Sequence, residues 1–464
     1  MRLIKFVSLL LVSFQLFSCQ KIQRVKAEKP PYDSLTQKMI VEGMKSYPAY
    51  DMLYELSVQI GPRLSGSPGA ARAVEWGKKK MEDLGFENVH LEPVMVPHWV
   101  RGNVEELVVV GFSGMPISAL KICALGGSIA TPKQGITAEV VEVQTFDELH
   151  AMGDRIKGKI VFFNRPMDRT KFFPGEAYGG AVDQRSKGAA EAGKMGAVAV
   201  IVRSMTTRLD DVPHTGAMNY VDTIPKIPAA AVSTMGAEKL AELLKKGNPV
   251  NVRLKLDCET LPDVESANVV GELRGGVLPN EIVVIGGHLD SWDKGRGAHD
   301  DGTGVVECME AIRLLKAQGL RPKRTIRVVL FMNEENGLRG GKAYAKAERP
   351  NEKHIAAIET DAGGFSPRAF TVEADSITLP KIAQWAYVLA PIEADKIVKG
   401  HGGADISELK KLGVPVLGLR PDWHRYFDYH HSDQDTIDKV NERELETGSI
   451  AMAIMSYVLA EEGI

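Results

Sequence analysis

The chain has 464 residues, of which 44% are hydrophobic and 25% are charged, a composition typical of a soluble globular protein. This length exceeds that of one ordinary domain, so we expect two domains plus extensions. The net charge of -3, with no basic tail or aromatic-basic patch, argues against nucleic acid as the main partner. Four widely spaced cysteines without a CxxC motif do not form a disulfide framework.

Residues 1–19 are predicted to be a signal peptide of the lipoprotein type. Basic residues precede an apolar run that is too short to span a bilayer, and a small residue and Cys19 follow it. The end of this segment resembles a bacterial lipobox, in which the cysteine is lipidated; an ordinary secretory signal is the alternative. Residues 20–34 are interpreted as a tether. We therefore expect an extracytoplasmic protein, either a periplasmic or outer-membrane lipoprotein anchored at Cys19 or a secreted protein.

Residues 35–104 are predicted to be the first part of the main domain. Apolar residues at helical spacing predict a helical region over about residues 34–60, which a glycine–proline pair ends. A second helix is predicted over about residues 70–84 and a strand over residues 89–96. Two helices that lead into a strand are the expected start of an α/β layer.

The pattern changes at about residue 105. Short strands separated by glycine and proline, with a helix rich in alanine and glycine, fill residues 105–262. This stretch contains His150 and His214, but no cluster of acidic residues and histidine at a strand end. We interpret it as a β-rich inserted domain that shapes access to the site and does no chemistry.

The main domain resumes over residues 263–464, where strands alternate with helices. This alternation predicts an α/β fold with a mostly parallel central sheet covered by helices. The continuous apolar run at residues 282–285 suits a central buried strand. The loop after that strand lies at the carboxyl edge of the sheet, where open α/β folds bind ligands.

Four loops of this second part carry histidine and carboxylate residues. In chain order they supply His288, Asp290, Asp300 and Asp301; Glu334 and Glu335; Asp361; and His430 and His431. A single His–Asp pair is more often a hydrogen-bonded surface pair, but matching ligands on later strand ends indicate a metal site. Imidazole and carboxylate together suit zinc and related divalent ions, and one shared carboxylate can bridge two ions.

These motifs, together with IGPRLSGSPG near the N-terminus, resemble the family 28 zinc metallopeptidases. Within that family the chain is similar to the plasma glutamate carboxypeptidase (carboxypeptidase Q) group, over nearly all of the mature chain. The resemblance includes the insert, which is similar to a protease-associated domain. It implies a zinc-dependent exopeptidase fold of the phosphorylase/hydrolase-like type and a cofactor of two Zn²⁺ ions.

The resemblance also implies a role for each motif residue. His288 would bind one zinc ion, His431 the other, and Asp300 would bridge both. Glu335 and Asp361 would each complete one ion.

The resemblance makes Glu334 the general base. Adjacent residues of an extended segment point in opposite directions, which would let Glu334 face the substrate while Glu335 binds metal. Asp290 and Asp301 would orient the ligands. Many members of the family have tyrosine directly before the final ligand, where this chain has His430. His430 or a nearby tyrosine, Tyr426 or Tyr429, could therefore donate to the oxyanion, and His430 remains an alternative to His431 as the ligand.

The expected reaction is hydrolysis of dipeptides or short peptides by metal-activated water. Acidic ligands could hold a substrate ammonium group, which favours an aminopeptidase or dipeptidase. A carboxypeptidase needs a cation for the substrate carboxylate, and the sequence does not decide among Arg63, Arg339, Lys399 and Arg425.

Two other functions are consistent with the sequence. The same centre could hydrolyse amides of the N-acyl amino acid type, or the fold could serve as a receptor-like binding protein without catalysis. A short peptide is the expected partner, and a homodimer is expected because relatives are often dimers.

Overall fold

A computed structural model describes residues 32–111 and 116–464. The predicted signal peptide with Cys19 and most of the predicted tether lie outside the described residues. Within the described ranges, no helix is both long enough and apolar enough to cross a membrane.

The described strands and helices follow one another in two series. The strands are β1 (Glu87–Val100), β2 (Glu105–Val110), β3 (Pro116–Leu120), β4 (Ile122–Ala124), β5 (Ile136–Val143), β6 (Ile160–Phe163), β7 (Ala199–Arg203), β8 (Ala229–Val232), β9 (Asn251–Leu256), β10 (Glu259–Leu273), β11 (Leu278–His288), β12 (Arg324–Phe331), β13 (Lys353–Glu359), β14 (Pro367–Glu373), β15 (Lys396–Lys399) and β16 (Val416–Pro421). The α-helices are α1 (Asp33–Gly43), α2 (Pro48–Tyr54), α3 (Pro68–Asp83), α4 (Phe146–Ala151), α5 (Pro174–Gly179), α6 (Asp183–Lys194), α7 (Thr234–Lys245), α8 (Thr303–Ala317), α9 (Arg339–Lys346), α10 (Thr378–Ala383), α11 (Ser407–Lys411), α12 (Tyr426–Tyr429) and α13 (Glu442–Glu462).

The first sheet has eight strands in the order β1-β10-β12-β11-β13-β16-β14-β15. Its four central strands, β12, β11, β13 and β16, are parallel to one another. The pairs β1–β10, β10–β12 and β14–β16 on the two flanks are antiparallel. The predicted α/β fold with a mostly parallel central sheet is therefore confirmed, and the antiparallel pairs are confined to the flanks.

Helices cover both faces of this sheet because its central strands are apolar on both sides. In β11, Val283 and Ile285 pack in the same core as α8 and α13, whereas Ile282 and Val284 pack on the opposite face beside Tyr344 of α9. Alternate residues of a strand point to opposite faces, so a continuous apolar run is needed where both faces are buried.

The second sheet is formed by strands from residues 105–262, the range for which the sequence predicts an insert. Its order is β3-β2-β9-β5-β6-β7-β8-β4, with β5 to β8 parallel and the other pairs antiparallel. Separate apolar clusters around Phe162 and Phe163 fill the two faces of this sheet.

Two elements differ from the expectations. The helical region of residues 34–60 is broken before Pro48, which begins α2, because proline disfavours helical backbone in the residue before it. The strand predicted over residues 89–96 is longer, and β1 pairs with the equally long β10 in an antiparallel ribbon. Trp99, near the end of β1, packs in a core of the second sheet, so this ribbon joins the two sheets.

Candidate metal centre

The predicted ligands lie together at the carboxyl edge of the first sheet. His288 ends β11 and is paired with Phe331, the last residue of β12, so the loop with Glu334 and Glu335 starts beside it. Asp361 follows the end of the neighbouring strand β13. Parallel strands end at the same edge, which explains why residues far apart in sequence meet here.

Asp300 is at the centre of the cluster, on the loop between β11 and α8. Its Oδ1 lies 3.2 Å from His288 Nε2, and its Oδ2 lies 3.3 Å from His431 Nε2. The two oxygens of one carboxylate therefore face two different imidazoles. This is the arrangement that a carboxylate bridging two cations requires.

One further carboxylate lies beside each imidazole. Glu335 Oε2 is 3.1 Å from His431 Nε2, and Asp361 Oδ1 is 3.8 Å from His288 Nε2. The cluster thus has two halves that share Asp300. Such separations suit donor atoms around a common ion, for which each metal–ligand bond is about 2.0–2.2 Å.

Two of the donor atoms fit a metal because no hydrogen bond satisfies them. The buried His288 Nε2 and Asp300 Oδ2 have no hydrogen-bond partner within the described part of the chain. His288 Nδ1 lies 3.0 Å from the carbonyl oxygen of Asp290, and His431 Nδ1 lies 3.3 Å from that of Thr215. These carbonyls place the ring protons on Nδ1 and direct the Nε2 lone pairs into the cluster.

Asp290 and Asp301 hold the backbone of the ligand-bearing segments through hydrogen bonds. Asp290 Oδ1 accepts hydrogen bonds from the backbone N–H groups of Asn333 and Glu334, at 2.7 and 3.0 Å. Asp301 Oδ2 accepts one from His288 N at 3.0 Å, and its Oδ1 accepts one from Gly304 N at 3.0 Å. Both carboxylates are fully buried and fix the positions of ligand-bearing segments.

Glu334 lines the cleft beside the cluster but is not one of the clustered donor atoms. Burial, reinforced by the carboxylates of Asp361, Asp290 and Asp300, raises the pKa of Glu334 to about 8. Divalent cations nearby would oppose this rise, because they favour the ionised carboxylate. Its position suits proton transfer more than ligation.

The structure sets Tyr429 apart from the other two oxyanion candidates, His430 and Tyr426. His430 lines the cleft and stacks on His431 with a centroid separation of 3.5 Å. Tyr426 also lines the cleft, and its hydroxyl donates to Asp361 Oδ1 at 3.4 Å. Tyr429 instead stacks on His299, outside the residues that line the cleft. His430 Nε2 is 3.8 Å from Asp300 Oδ2, farther than the 3.3 Å of His431.

Sequence reasoning missed Asp435, which lies in the same motif as His431. Its carboxylate accepts hydrogen bonds from His299 N at 2.7 Å and Asp300 N at 3.2 Å. Burial raises the pKa of Asp435 to about 7, and the neighbouring Asp300 adds to this rise. The SDQD pattern after the histidines was a usable signal, since an aspartate so close to a ligand can hold another ligand loop.

None of the four cations considered for a substrate carboxylate lines the cleft. Arg63 is fully buried, and its guanidinium donates to three backbone carbonyls, of Leu289, Arg296 and Gly297, so it is structural. The other three candidates, Arg339, Lys399 and Arg425, are not among the residues that line the cleft.

A cleft of about 900 Å³ opens onto the cluster from between the two sheets. The cations that line it are Arg185, Lys226, Lys342 and Arg420. Arg185 lies on α6 and its neighbour Tyr178 on α5, and both helices belong to the layer of the second sheet. The carbonyl oxygen of Thr215, in the same layer, accepts from His431 Nδ1. The segment interpreted as doing no chemistry therefore contacts the centre, which sequence reasoning missed because these residues form no motif.

Comparisons with known proteins match this geometry. The family model described as Peptidase family M28 matches residues 268–455, a range that contains all the predicted ligands. Carboxypeptidase Q of Bos taurus is 37% identical over 448 residues, covering 96% of this chain and 92% of the relative. Carboxypeptidase Q of Homo sapiens is 36% identical over 424 residues, covering 91% and 87%.

Solved structures agree. A peptidase M28 precursor from Shewanella amazonensis superposes with a TM-score of 0.88 at 38% identity, covering 93% of this chain and 97% of that one. A zinc aminopeptidase from Bacillus subtilis shares the fold, with a TM-score of 0.65 at 21% identity, covering 89% of this chain and 95% of that one.

Proposed function

Because the chain belongs to peptidase family M28 and is therefore a metallopeptidase, we propose that it is a dizinc exopeptidase that hydrolyses dipeptides or short peptides. The observation that carries the proposal is the position of Asp300 between His288 and His431, with one carboxylate oxygen directed at each imidazole. Glu335 and Asp361 supply the remaining carboxylate for each half.

When bound, two zinc ions supply Lewis acidity that activates water near neutral pH and polarises the scissile carbonyl. His288, Asp300 and Asp361 would hold one ion, and His431, Asp300 and Glu335 the other. Asp290, Asp301 and Asp435 hold the backbone that carries these ligands, so the donor atoms are positioned before metal binds.

Glu334 acts in this proposal as general base and then general acid. Its carboxylate takes a proton from the attacking water and delivers it to the leaving amine. The hydroxyl of Tyr426 and the ring of His430 lie on the same cleft wall and can donate to the developing oxyanion.

The aminopeptidase or dipeptidase mode is the one we favour. Beside the proposed metal ligands, the cleft is lined by the carboxylates of Glu334 and Glu359, and these suit a substrate ammonium group. Relatives named carboxypeptidase Q support the carboxypeptidase mode as the alternative.

The proposal extends to the domain organisation, the location and the assembly of the protein. The second sheet is a protease-associated domain that forms one wall of the cleft. The protein acts outside the cytoplasm, as a lipoprotein anchored at Cys19 or in secreted form. It assembles as a homodimer and has no nucleic-acid partner.

A panel of four compounds tests the mode: one dipeptide in its free, N-acetylated and C-amidated forms, and an N-acyl amino acid. Hydrolysis that a chelator abolishes and zinc restores, and that N-acetylation blocks but amidation does not, would establish an aminopeptidase. Loss on amidation alone would establish a carboxypeptidase, and loss on either change a strict dipeptidase. Cleavage of the N-acyl amino acid alone would identify an amide hydrolase, and no cleavage with zinc bound would contradict the proposed function.

A further inference from the structure

His214 is a buried histidine of the second-sheet layer, and its ring contacts the segment that carries His431. The residue is 1% exposed, and its Nδ1 lies 2.7 Å from the backbone carbonyl oxygen of His430. Because a carbonyl oxygen can only accept, the ring proton is on Nδ1 and His214 donates this hydrogen bond. A side chain of the second layer therefore holds the backbone directly before the proposed ligand.

Thr215, the next residue, makes a second contact with the same segment. Its backbone N–H donates to the carbonyl oxygen of His431 at 2.9 Å, and its own carbonyl oxygen lies 3.3 Å from His431 Nδ1. At Gly216, a Cβ atom would lie 2.7 Å from His431 Nδ1, so glycine permits this close approach. Two consecutive residues of one layer thus hold the carbonyl groups of two consecutive residues of the other.

The second sheet fixes the position of residues 214–216. The backbone N–H of His214 donates to Ser204 Oγ at 2.9 Å, directly after β7. Thr215 Oγ1 donates to the carbonyl oxygen of Ala124, the last residue of β4, at 2.8 Å. These residues are buried and anchored to two strands, so they can support a neighbouring segment.

His431 needs such support because of its backbone conformation. Its φ angle is 60°, in the left-handed region, which residues with a side chain seldom adopt and which surrounding contacts must hold. This conformation directs His431 Nε2 toward Asp300 and Glu335, at 3.3 and 3.1 Å. Contacts that hold the backbone at this point therefore also hold the direction of the imidazole.

The His288 half of the centre is held differently. His288 ends β11, its backbone N–H donates to Asp301, and its Nδ1 lies 3.0 Å from the carbonyl oxygen of Asp290. Both partners belong to the first sheet and its loops. One half of the centre is thus supported by the layer that carries it, and the other half by the second layer.

We propose that His214 is a positioning residue for His431, so that tight zinc binding needs the second layer in the His431 half of the centre and not in the His288 half. This inference rests on the proposed dizinc function. It makes the layer interpreted from sequence as doing no chemistry a part of the metal site through its contacts with the ligand backbone.

Zinc affinities of proteins that retain one half of the centre test the inference. His288→Ala leaves the His431 half and His431→Ala leaves the His288 half, and competition with a chromophoric chelator measures the affinity that remains. In the His288→Ala protein, adding His214→Leu should weaken zinc binding about 10- to 100-fold, because leucine fills a similar volume but has no donor. In the His431→Ala protein, the same change should alter zinc binding less than about threefold.

A conservative variant and a control separate the hydrogen bond from a general effect on folding. His214→Asn keeps an N–H donor close to the position of Nδ1, so it should hold the zinc affinity of the His288→Ala protein within about threefold. His150→Leu removes an exposed histidine from the same layer and should leave both affinities unchanged. Circular dichroism of each variant must match that of its parent.

Hydrogen exchange in the metal-free protein gives a readout that does not depend on zinc. Amide protons of residues 426–435 should exchange about 3- to 10-fold faster in His214→Leu than in the unaltered protein or in His214→Asn, because the segment loses a partner. Amide protons of residues 282–288, in β11, should exchange at the same rate in all three proteins.

An equal loss of zinc affinity in both single-half proteins, no loss in either, or a loss in His214→Asn as large as in His214→Leu would overturn the inference. The unaltered chain is titrated with zinc and assayed for dipeptide hydrolysis in parallel. Absence of zinc binding or of hydrolysis would overturn the proposed function. The exchange rates of residues 426–435 would then still decide whether His214 positions His431, and unchanged rates would overturn that role.

Discussion

At the scale of single residues, Asp300 determines how the centre is built, and Asp435 determines where Asp300 lies. The carboxylate of Asp435 accepts from the backbone N–H groups of His299 and Asp300, on the loop that presents the bridging carboxylate. A group that holds a ligand in place commonly changes metal affinity or activity 10- to 100-fold when it is altered.

Asp435→Asn should therefore lower zinc affinity by about 10- to 100-fold, since an amide keeps one acceptor oxygen but turns a donor toward the second N–H. Competition with a chromophoric chelator measures the affinity. Asp433→Asn is the matched control, because Asp433 is exposed two residues earlier in the same loop. Equal affinities for the Asp435 variant and the unaltered protein would contradict this account of the loop.

The two adjacent histidines should also separate in their effects. His431→Ala should reduce bound zinc from two ions per chain to one, because its Nε2 faces both Asp300 and Glu335. His430→Phe preserves the stacking surface, so it should keep both ions and lower kcat about 10- to 100-fold through loss of a donor to the oxyanion. Elemental analysis measures the zinc content of both variants, and steady-state kinetics measures kcat. Loss of one zinc ion in His430→Phe, with both ions kept in His431→Ala, would exchange the roles of the two histidines.

Sequence alone indicated most of these residues, since histidine and carboxylate at successive strand ends are rare outside metal sites. It could not place Arg185 or Tyr178 at the cleft, because their position there depends on a contact between two sheets that no local pattern encodes. The buried role of Arg63 was also missed, since its three carbonyl acceptors come from a loop more than 200 positions later in the chain.

At the scale of elements, α8 and α13 pack together behind the first sheet, and their contact buries acidic groups. Burial, together with the neighbouring carboxylate of Glu310, raises the pKa of Glu446 to about 9. Arg313 and Glu42 are the other charged groups that face this pair. The folded protein keeps Glu446 protonated at neutral pH, whereas the unfolded chain ionises it near pH 4.5.

The unfolded state therefore binds fewer protons, and this group destabilises the fold increasingly as the pH rises from about 4.5 toward 9. Glu446→Gln removes that penalty, so its stabilising effect should grow with pH by up to about 1.4 kcal/mol per pH unit. Urea denaturation at pH 5, 6.5 and 8 measures the trend. Glu442→Gln, at an exposed position of α13, should show no such trend; a flat response from Glu446→Gln would contradict the assignment.

A second element-scale contact fastens the second sheet to the ligand loop. Arg101 donates to Asp293, on the loop after β11, and to the carbonyl of Ala124 in the second sheet. Asp293→Ala leaves the buried guanidinium without its main partner and should lower the free energy of unfolding by about 3 kcal/mol. Asp263→Ala, which removes the partner of the exposed Arg339, should cost less than about 1 kcal/mol.

Urea denaturation of the zinc-free protein compares these two variants, and equal effects would show that Arg101 does not fasten the sheets. The sequence predicted the elements on either side of this contact, because apolar runs and helical spacing are local signals. It could not predict the full length of β1 and β10, whose polar ends are ordered by pairing with each other.

At the scale of the whole molecule, the proposed metal ligands come from one sheet, and residues of both sheets line the cleft above them. The first sheet supplies every proposed metal ligand at its carboxyl edge, and the second layer supplies Tyr178 and Arg185 to the cleft wall and the Thr215 carbonyl to His431.

We propose that two zinc ions and Glu334 together perform the hydrolysis. The most direct measurement follows dipeptide hydrolysis while zinc is returned stepwise to metal-free protein, for the unaltered chain and for Glu334→Gln. We predict that activity rises until two ions are bound per chain, and that Glu334→Gln binds the same zinc but hydrolyses about 10²- to 10⁴-fold more slowly. Full activity in the variant, or in the metal-free protein, would contradict the claim.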